Sequence, residues 1–194
     1  MEREVLLTGI GGQGVQLAAT TLGVAATAIG LEVLVFGSYG GTMRGGNTDA
    51  TVVVGDEPLQ TPPDVDDAWA AIALHHGYWP GTRDRVRPGG LVVFDSSVFR
   101  GSAEAAGCTV LPVPATALAT DAGFAQAASM IALGAFASAT RLVTLEALTA
   151  AALEVLPSYR AHHAATNARA LTIGWELVDA PMLPAWPDPV PSTR

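Results

Sequence analysis

One short segment constrains this chain more than any other: Gly9-Ile10-Gly11-Gly12-Gln13-Gly14-Val15. It stands between the apolar run Val5-Leu6-Leu7 and a stretch in which Val15, Ala18, Leu22, Ala25, Ala26 and Ile29 recur every three or four residues. The first pattern predicts a buried strand and the second an amphipathic helix, so the glycines occupy a strand-to-helix turn. Glycines there let the backbone approach a phosphate, and the first N–H groups of the helix point at it. A second glycine-rich segment, Ser38-Tyr39-Gly40-Gly41-Thr42-Met43-Arg44-Gly45-Gly46, follows the next apolar run, Leu31 to Phe36. Two such loops after two successive strands predict a single site.

The rest of the chain continues the alternation. Gly30 is placed to close the first helix as a C′ glycine. Thr48 to Val54, Trp69 to Leu74, Leu91 to Phe94 and Thr109 to Val113 read as further strands, with a short helix between Gly77 and Val86. Pro88-Gly89-Gly90 reads as a turn into the Leu91 strand. After Pro114 the composition turns to Ala, Leu and Met. Helices are predicted over Phe124 to Ala139, from a Thr144 cap to a stop before Pro157, and from a Ser158 cap to about Val178. The expected fold is therefore α/β: a three-layer α/β/α domain with a Rossmann-like, mostly parallel sheet and a helical C-terminal segment. The expected division is a domain over residues 1–179 and a tail over 180–194 whose five prolines favour an extended or partly disordered course.

Composition excludes several functions. All ten basic residues are Arg, against 18 Asp and Glu, for a net charge of −8. Such a balance opposes nucleic-acid binding, which needs a basic face, and the lack of Lys removes any Schiff-base or P-loop lysine. Mean hydropathy is +0.35, yet no apolar run reaches the roughly 18 residues of a membrane span. The N-terminus enters a strand at once, so no signal peptide is read and the expected location is the cytoplasm. The single cysteine, Cys108, leaves no four-cysteine iron–sulfur or zinc site within this chain. Low charge with high apolar content points to surface buried against partners.

Gly9, Gly11 and Gly14 fit the spacing of a dinucleotide loop. A dinucleotide site also needs an acid at the end of the second strand to hold the ribose. That end reads Phe36-Gly37-Ser38, and Glu32 lies at the wrong edge. The ordinary NAD pattern is thus absent, and a phosphate-bearing ligand held without the ribose contact remains open, as does a ligand-free turn.

Taken together, Gly11-Gly12-Gln13-Gly14-Val15, Ser38-Tyr39-Gly40 with Arg44-Gly45-Gly46, Asp56-Glu57-Pro58, Pro88-Gly89-Gly90, Met130-Ile131-Ala132-Leu133-Gly134, and Asn167 with Gly174 and Glu176 resemble the gamma subunit, or gamma domain, of 2-oxoacid:ferredoxin (acceptor) oxidoreductases. That family includes the pyruvate, 2-oxoglutarate, 2-ketoisovalerate and indolepyruvate enzymes. The resemblance covers about residues 4 to 178. It implies a subunit of an oxidoreductase complex that oxidatively decarboxylates a 2-oxoacid to acyl-CoA. It places thiamine diphosphate, Mg²⁺ and iron–sulfur clusters on partner chains: alpha and beta thiamine-binding subunits and an iron–sulfur subunit, with ferredoxin as acceptor. This chain has no Gly-Asp-Gly segment of the kind that anchors thiamine diphosphate through Mg²⁺. For the gamma component the resemblance implies a role in assembly and in the CoA pocket. Two departures stand out: Gly41-Thr42 replaces a usual Pro-Glu, and Ser129 replaces a frequent Asn.

The expected cofactor-binding residues are Gly11, Gly12, Gln13, Gly14, Ser38, Tyr39, Arg44, Gly45 and Gly46; no catalytic residue and no metal ligand is expected. Arg44 offers a guanidinium fork for phosphate or carboxylate, or an ion pair to a partner subunit. Gln13 either donates to a ligand oxygen or stabilises the loop. Ser38 and Tyr39 either face the cleft or pack the loop. Asp95-Ser96-Ser97 reads as a strand-end ligand position or a helix cap. His75 and His76 are expected to point to different sides, as neighbours in an extended chain do, which opposes a shared metal. His162-His163 read as a solvated helix face or interface, Asp64, Asp66 and Asp67 as a turn plus strand entry, Cys108 as buried, and Phe124, Met130, Leu133 and Phe136 as helix core. A purely structural subunit, or a free-standing nucleotide-binding domain, are the alternative functions.

Overall fold

A computed structural model describes residues 1–39, 45–62, 64–156 and 163–187. The order is β1 (Glu2–Ile10), α1 (Val15–Ala28), β2 (Glu32–Tyr39), β3 (Asn47–Gly55), β4 (Ala68–Ala73), α2 (Trp79–Arg83), β5 (Val86–Asp95), β6 (Thr109–Val113), α3 (Ala115–Asp121), α4 (Ala128–Thr140), α5 (Leu145–Glu154) and α6 (Ala164–Trp175). The strands form one sheet in the order β2-β3-β1-β4-β5-β6. β1, β4, β5 and β6 are mutually parallel, while β3 runs antiparallel to both β1 and β2. The mostly parallel α/β sheet expected from the sequence is the one observed.

The reversed β3 follows from chain length. Parallel strands need a crossover of about a dozen residues or more, and the 40–46 connection is shorter than that. β3 must therefore turn back, and it fills the place between β2 and β1. Its run Ala50 to Gly55 is buried throughout, as a strand covered on both faces requires. α1 supplies the longer connection that keeps β1 and β2 pointing the same way. It ends as its glycine predicts: Gly30 has φ 84°, and its N–H donates to the Thr27 carbonyl.

Helices crowd one face of the sheet. α1, α3, α4, α5 and α6 contribute to a large core with Val5, Leu7, Val52, Ile72, Leu91 and Val93, and Trp69 meets Phe136 edge-on at 6.2 Å. The opposite face carries a smaller cluster around Leu6, Val53, Ala71, Trp79 and Val92, covered by α2 and irregular segments. α4 is buried on every side from Ser129 to Thr140, which is why its sequence lacks a polar stripe. It packs against α6 through Gly134 and Gly174. A side chain at Gly134 would run into the Leu171 carbonyl, and one at Gly174 into the Ile131 carbonyl.

Several boundaries differ from the sequence reading. The helix read from Phe124 begins instead at Ala128, after a 3-10 turn at Ala125–Ala127. α3 has no signal in the sequence pattern, because Ala-Thr-Ala-Leu-Ala-Thr-Asp carries too little apolar periodicity. Pro88-Gly89-Gly90 lies inside β5, where the pairing with β4 shifts register between Ala68 and Ala70, rather than before it. Thr144 does cap α5, its hydroxyl accepting from the Ala147 N–H at 3.2 Å. Ser158 lies outside the described residues; α6 starts at Ala164 and stops at Trp175, short of Val178. The tail through 187 has no regular element and docks on the domain. Ala185 is fully buried, its carbonyl accepts from Arg3 Nε at 2.7 Å, and Trp186 Nε1 donates to the Leu142 carbonyl at 3.1 Å. Among the described residues no helix is long and apolar enough to cross a membrane.

The α4–α6 contact yields a direct test. Gly174→Ala should lower stability by about 1–3 kcal/mol, since backbone must give way to the new methyl. Gly81→Ala, where nothing lies within 4 Å of the added carbon, should leave the urea midpoint unchanged or slightly raised. Equal midpoints for both variants would refute the close-packing assignment.

Candidate functional site

The first glycine loop is shaped by three demands. Gly9 has no room for a side chain, since a Cβ would stand 2.8 Å from Gln13 Oε1 and 2.9 Å from Val15 Cγ2. Gly12 and Gly14 take φ 103° and 81°, a backbone region that side chains disfavour. Gly14 is also the N-cap of α1, and a Cβ there would come within 2.5 Å of Ser129 Oγ on α4. The loop is thus bound tightly to the start of α4 on one side. On the other, the Gly11 N–H donates to the Gly46 carbonyl at 2.9 Å. This bond joins the two glycine-rich segments, as the sequence spacing predicts.

Gln13 serves the loop itself. Its Oε1 accepts from the Ile10 N–H at 2.9 Å and its Nε2 donates to the Leu74 carbonyl at 3.0 Å. Both ends of the amide are engaged within the protein, and Gln13 does not line the adjoining cleft. Of the two roles open in the sequence, the geometry gives it the loop-stabilising one.

A cleft of about 1250 Å³ opens at the sheet edge where β1 ends and β3 begins. Its walls come from Gly11, Gly12 and Gly14, the first turn of α1, Gly46-Asn47-Thr48, the Gly123–Ala127 segment, and His163, Thr166 and Asn167 at the start of α6. The starts of α1, α4 and α6 therefore all reach this one cleft. None has a side-chain N-cap bond or an acid in its first turn. A helix start carries about half a positive charge. Among the described residues the lining holds no Asp, Glu, Lys or Arg. In a protein of net charge −8, the cleft offers helix starts and, among the described lining residues, no charged side chain. Such an arrangement suits a phosphate or carboxylate.

The floor is ordered by a polar network that sequence reasoning missed. Asp49 accepts from Thr8 Oγ1 at 2.7 Å through one carboxylate oxygen and from Asn47 Nδ2 at 2.6 Å through the other. Gln16 Nε2 donates to the Asp49 carbonyl at 2.7 Å. Asn47 is thereby fixed, and its buried Oδ1 has no hydrogen-bond partner among the described residues. Asn167 is also buried against the cleft. Nothing in the local sequence around Asn47 announces this role, because the network joins β3 to β1 and α1.

The remaining expectations divide. Gly46 lines the cleft, whereas Gly45, with φ 87°, does not. Ser38 is exposed opposite Asp49 in the sheet register, outside the cleft lining. Tyr39 ends β2 with its backbone paired to Thr48. Arg44, with Gly40 to Met43, lies outside the described residues, as does His162. Asp95 acts as a cap, accepting from the backbone N–H groups of Ser97 and Thr116. His75 and His76 do not point apart: their rings stack at 4.4 Å. They sit in the loop beyond β4, where strand alternation no longer applies. Burial, then His76 and Arg100, holds the His75 pKa below its ordinary value. No group of three or more metal-ligating side chains occurs among the described residues. Asp64 and Asp66 lie 3.6 and 3.7 Å from Arg85. Cys108 is half-buried rather than buried, and that partial burial pushes its thiol pKa up, away from reactivity. Met130, Leu133 and Phe136 are core; Phe124 precedes the helix, packs against that core while partly buried, and also lines the cleft.

Comparison with known proteins places this geometry. The profile of the family described as pyruvate ferredoxin/flavodoxin oxidoreductase matches residues 4–177. The 2-oxoglutarate synthase subunit KorC of Methanocaldococcus jannaschii is 30% identical over 164 residues, covering 81% of this chain and 85% of that protein. The ketoisovalerate oxidoreductase subunit VorA of Methanothermobacter thermautotrophicus is 34% identical over 135 residues, covering 69% of this chain but 27% of that protein. Among solved structures, the gamma subunit of a keto/oxoacid ferredoxin oxidoreductase from Geobacter sulfurreducens aligns with TM-score 0.74 at 25% identity, over 91% of this chain and 95% of that one. The 2-oxoglutarate:ferredoxin oxidoreductase of Magnetococcus marinus, solved with 2-oxoglutarate, coenzyme A and succinyl-CoA, shares the fold. There the TM-score is 0.83 at 22% identity, over 100% of this chain and 33% of that one.

Gln13 gives the test of the loop. Gln13→Ala strands the Ile10 N–H and the Leu74 carbonyl, and should cost about 1–3 kcal/mol in chemical denaturation. A variant as stable as the parent would remove Gln13 from its stitching role.

Proposed function

The chain belongs to the pyruvate ferredoxin/flavodoxin oxidoreductase family, and from that membership we propose that it is the gamma-type component of a multi-subunit 2-oxoacid:ferredoxin (acceptor) oxidoreductase acting in the cytoplasm. In this reading it helps assemble the complex and holds CoA by its phosphates. One observation carries the second part: three helix starts without side-chain caps converge on one cleft. A phosphate ester is the ligand chemistry that such a cleft favours. Asn47 Oδ1, a fixed acceptor, suits an N–H or O–H group elsewhere on the same ligand.

Thiamine diphosphate with Mg²⁺ and the iron–sulfur clusters belong, in this proposal, to partner chains, where they supply decarboxylation and electron transfer toward ferredoxin. The contribution of this chain is binding and orientation. Gly11, Gly12 and Gly14 let backbone N–H groups approach the phosphates. Gln13 keeps that backbone in place, and Arg44, on the connection between β2 and β3, adds a guanidinium to the same ligand. Fixing the thiol-bearing end of CoA toward the partner's reaction centre lowers the entropy of the encounter, an effect worth about 7 kcal/mol of barrier where alignment is good. Selection among 2-oxoacids falls to the partner chains.

Two variants test the assignment in the assembled complex. Asn167→Asp sets a carboxylate against the anion cleft and should raise the apparent KM for CoA roughly tenfold, matching the 1–2 kcal/mol scale of a charge at a helix start. Arg44→Ala should act in the same direction. Neither should change the KM for the 2-oxoacid. Steady-state kinetics with CoA varied at saturating 2-oxoacid decide the matter: an unaltered CoA dependence in both variants rejects the CoA reading. Loss of subunits on gel filtration before any kinetic defect would establish the purely structural role instead.

A further inference from the structure

The two edges of the sheet are protected unequally. β6 has five residues and includes Pro112, which offers no N–H to an incoming strand. β2 has eight residues, Glu32-Val33-Leu34-Val35-Phe36-Gly37-Ser38-Tyr39, with no Pro, Lys or Arg. Long apolar edges without such residues invite another strand, and native proteins usually cover them. No described backbone pairs with the outer side of β2.

Apolar surface flanks this edge on both faces. Toward the helices, Val33 and Val35 border a groove of about 450 Å³ whose other walls are Gly23, Thr27 and Glu154. Gly23 brings α1 so near β2 that a Cβ there would stand 2.6 Å from Val35 Cγ2. On the other face Leu34 is half-buried and Phe36 is 52% exposed. The charged groups at this place are Glu32 on the strand and Glu154 on the groove wall, both acidic.

We propose that β2 and the α1–β2 groove receive an extended segment of a partner protein, apolar at alternate positions and carrying Lys or Arg to face Glu154. Main-chain bonds to β2 would supply affinity, and alternate side chains would enter the groove above Gly23, the general mode of strand addition. Charge selects this occupant over a second copy of the chain. A second β2 brings no cation to either glutamate, and it adds to a net charge already at −8. The inference does not depend on the anion cleft or on its ligand.

The test uses the full chain and two fluorescein-labelled peptides of β2's length. Both alternate Val and Thr; at the central position of the Val-bearing face, the face that enters the groove, one has Arg and the other Glu. Fluorescence anisotropy should show saturable binding of the Arg peptide. Val35→Lys, with an unchanged melting temperature, should weaken that binding by about tenfold or more, and Glu154→Lys should shift preference toward the Glu peptide. Hydrogen exchange read by mass spectrometry should slow in 32–39 on peptide addition. No saturable binding, equal binding of the two peptides, or protection confined elsewhere would overturn the proposal. So would concentration-dependent self-association that Val35→Lys abolishes, because the edge would then belong to a second copy.

Discussion

The short connection between β2 and β3 is the constraint from which the rest of the molecule follows. It is too brief for a parallel crossover, so β3 reverses and takes the position between β2 and β1. That insertion brings the end of β2, the start of β3 and the end of β1 to one edge of the sheet. The Gly11–Gly46 backbone bond records the result. Had β3 been placed at an outer edge, the two glycine-rich segments would sit on separate strands and share no cleft. The parallel half of the sheet, β1-β4-β5-β6, contributes at the same edge through the Leu74 carbonyl that anchors Gln13.

Close backbone approach then does what side chains do in many other sites. Gly14 lets α1 begin against Ser129, and Gly134 and Gly174 let α6 lie on α4. These contacts fix the three helix starts around one space. A bulky residue at any of these positions would separate the elements and dilute the field, since helix-end effects fall off within about a turn. Packing and electrostatics are therefore coupled: the same glycines that permit the tight core also aim the dipoles.

The sequence carried the strands, the first helix and the joined glycine loops because those signals are local. Val5-Leu6-Leu7 before Gly9, and Gly30 after Ile29, each state their own conformation. The site was only partly legible. Gly11, Gly12, Gly14 and Gly46 reach the cleft as their spacing implies, while Gln13 turns inward because its amide has nearer partners at Ile10 and Leu74. Asn47, Thr166 and Gln126 could not be read, since they meet the loop only after the sheet and the helical layer have assembled. His75 and His76 misled for a related reason: alternation governs strands, and the strand ends at Ala73.

An anion site built mainly from helix starts, with Arg44 as its one proposed cationic side chain, would have a consequence for a protein this acidic. Further cationic side chains in the cleft would find carboxylates of their own chain to pair with, and an ion pair already made inside the protein must be broken before a ligand can bind. Backbone N–H groups cannot swing away to such partners, and they pay no rotamer entropy when an anion arrives. Their positive ends stay where the fold puts them. A phosphate approaching against the overall charge of −8 is repelled at long range, where salt screens the repulsion over about 8 Å. It meets attraction only inside the cleft. Such a site discriminates by shape and enclosure before charge. A ligand with an organic body would also cover the apolar surface of Phe124 and Leu156, which a small inorganic anion leaves bare.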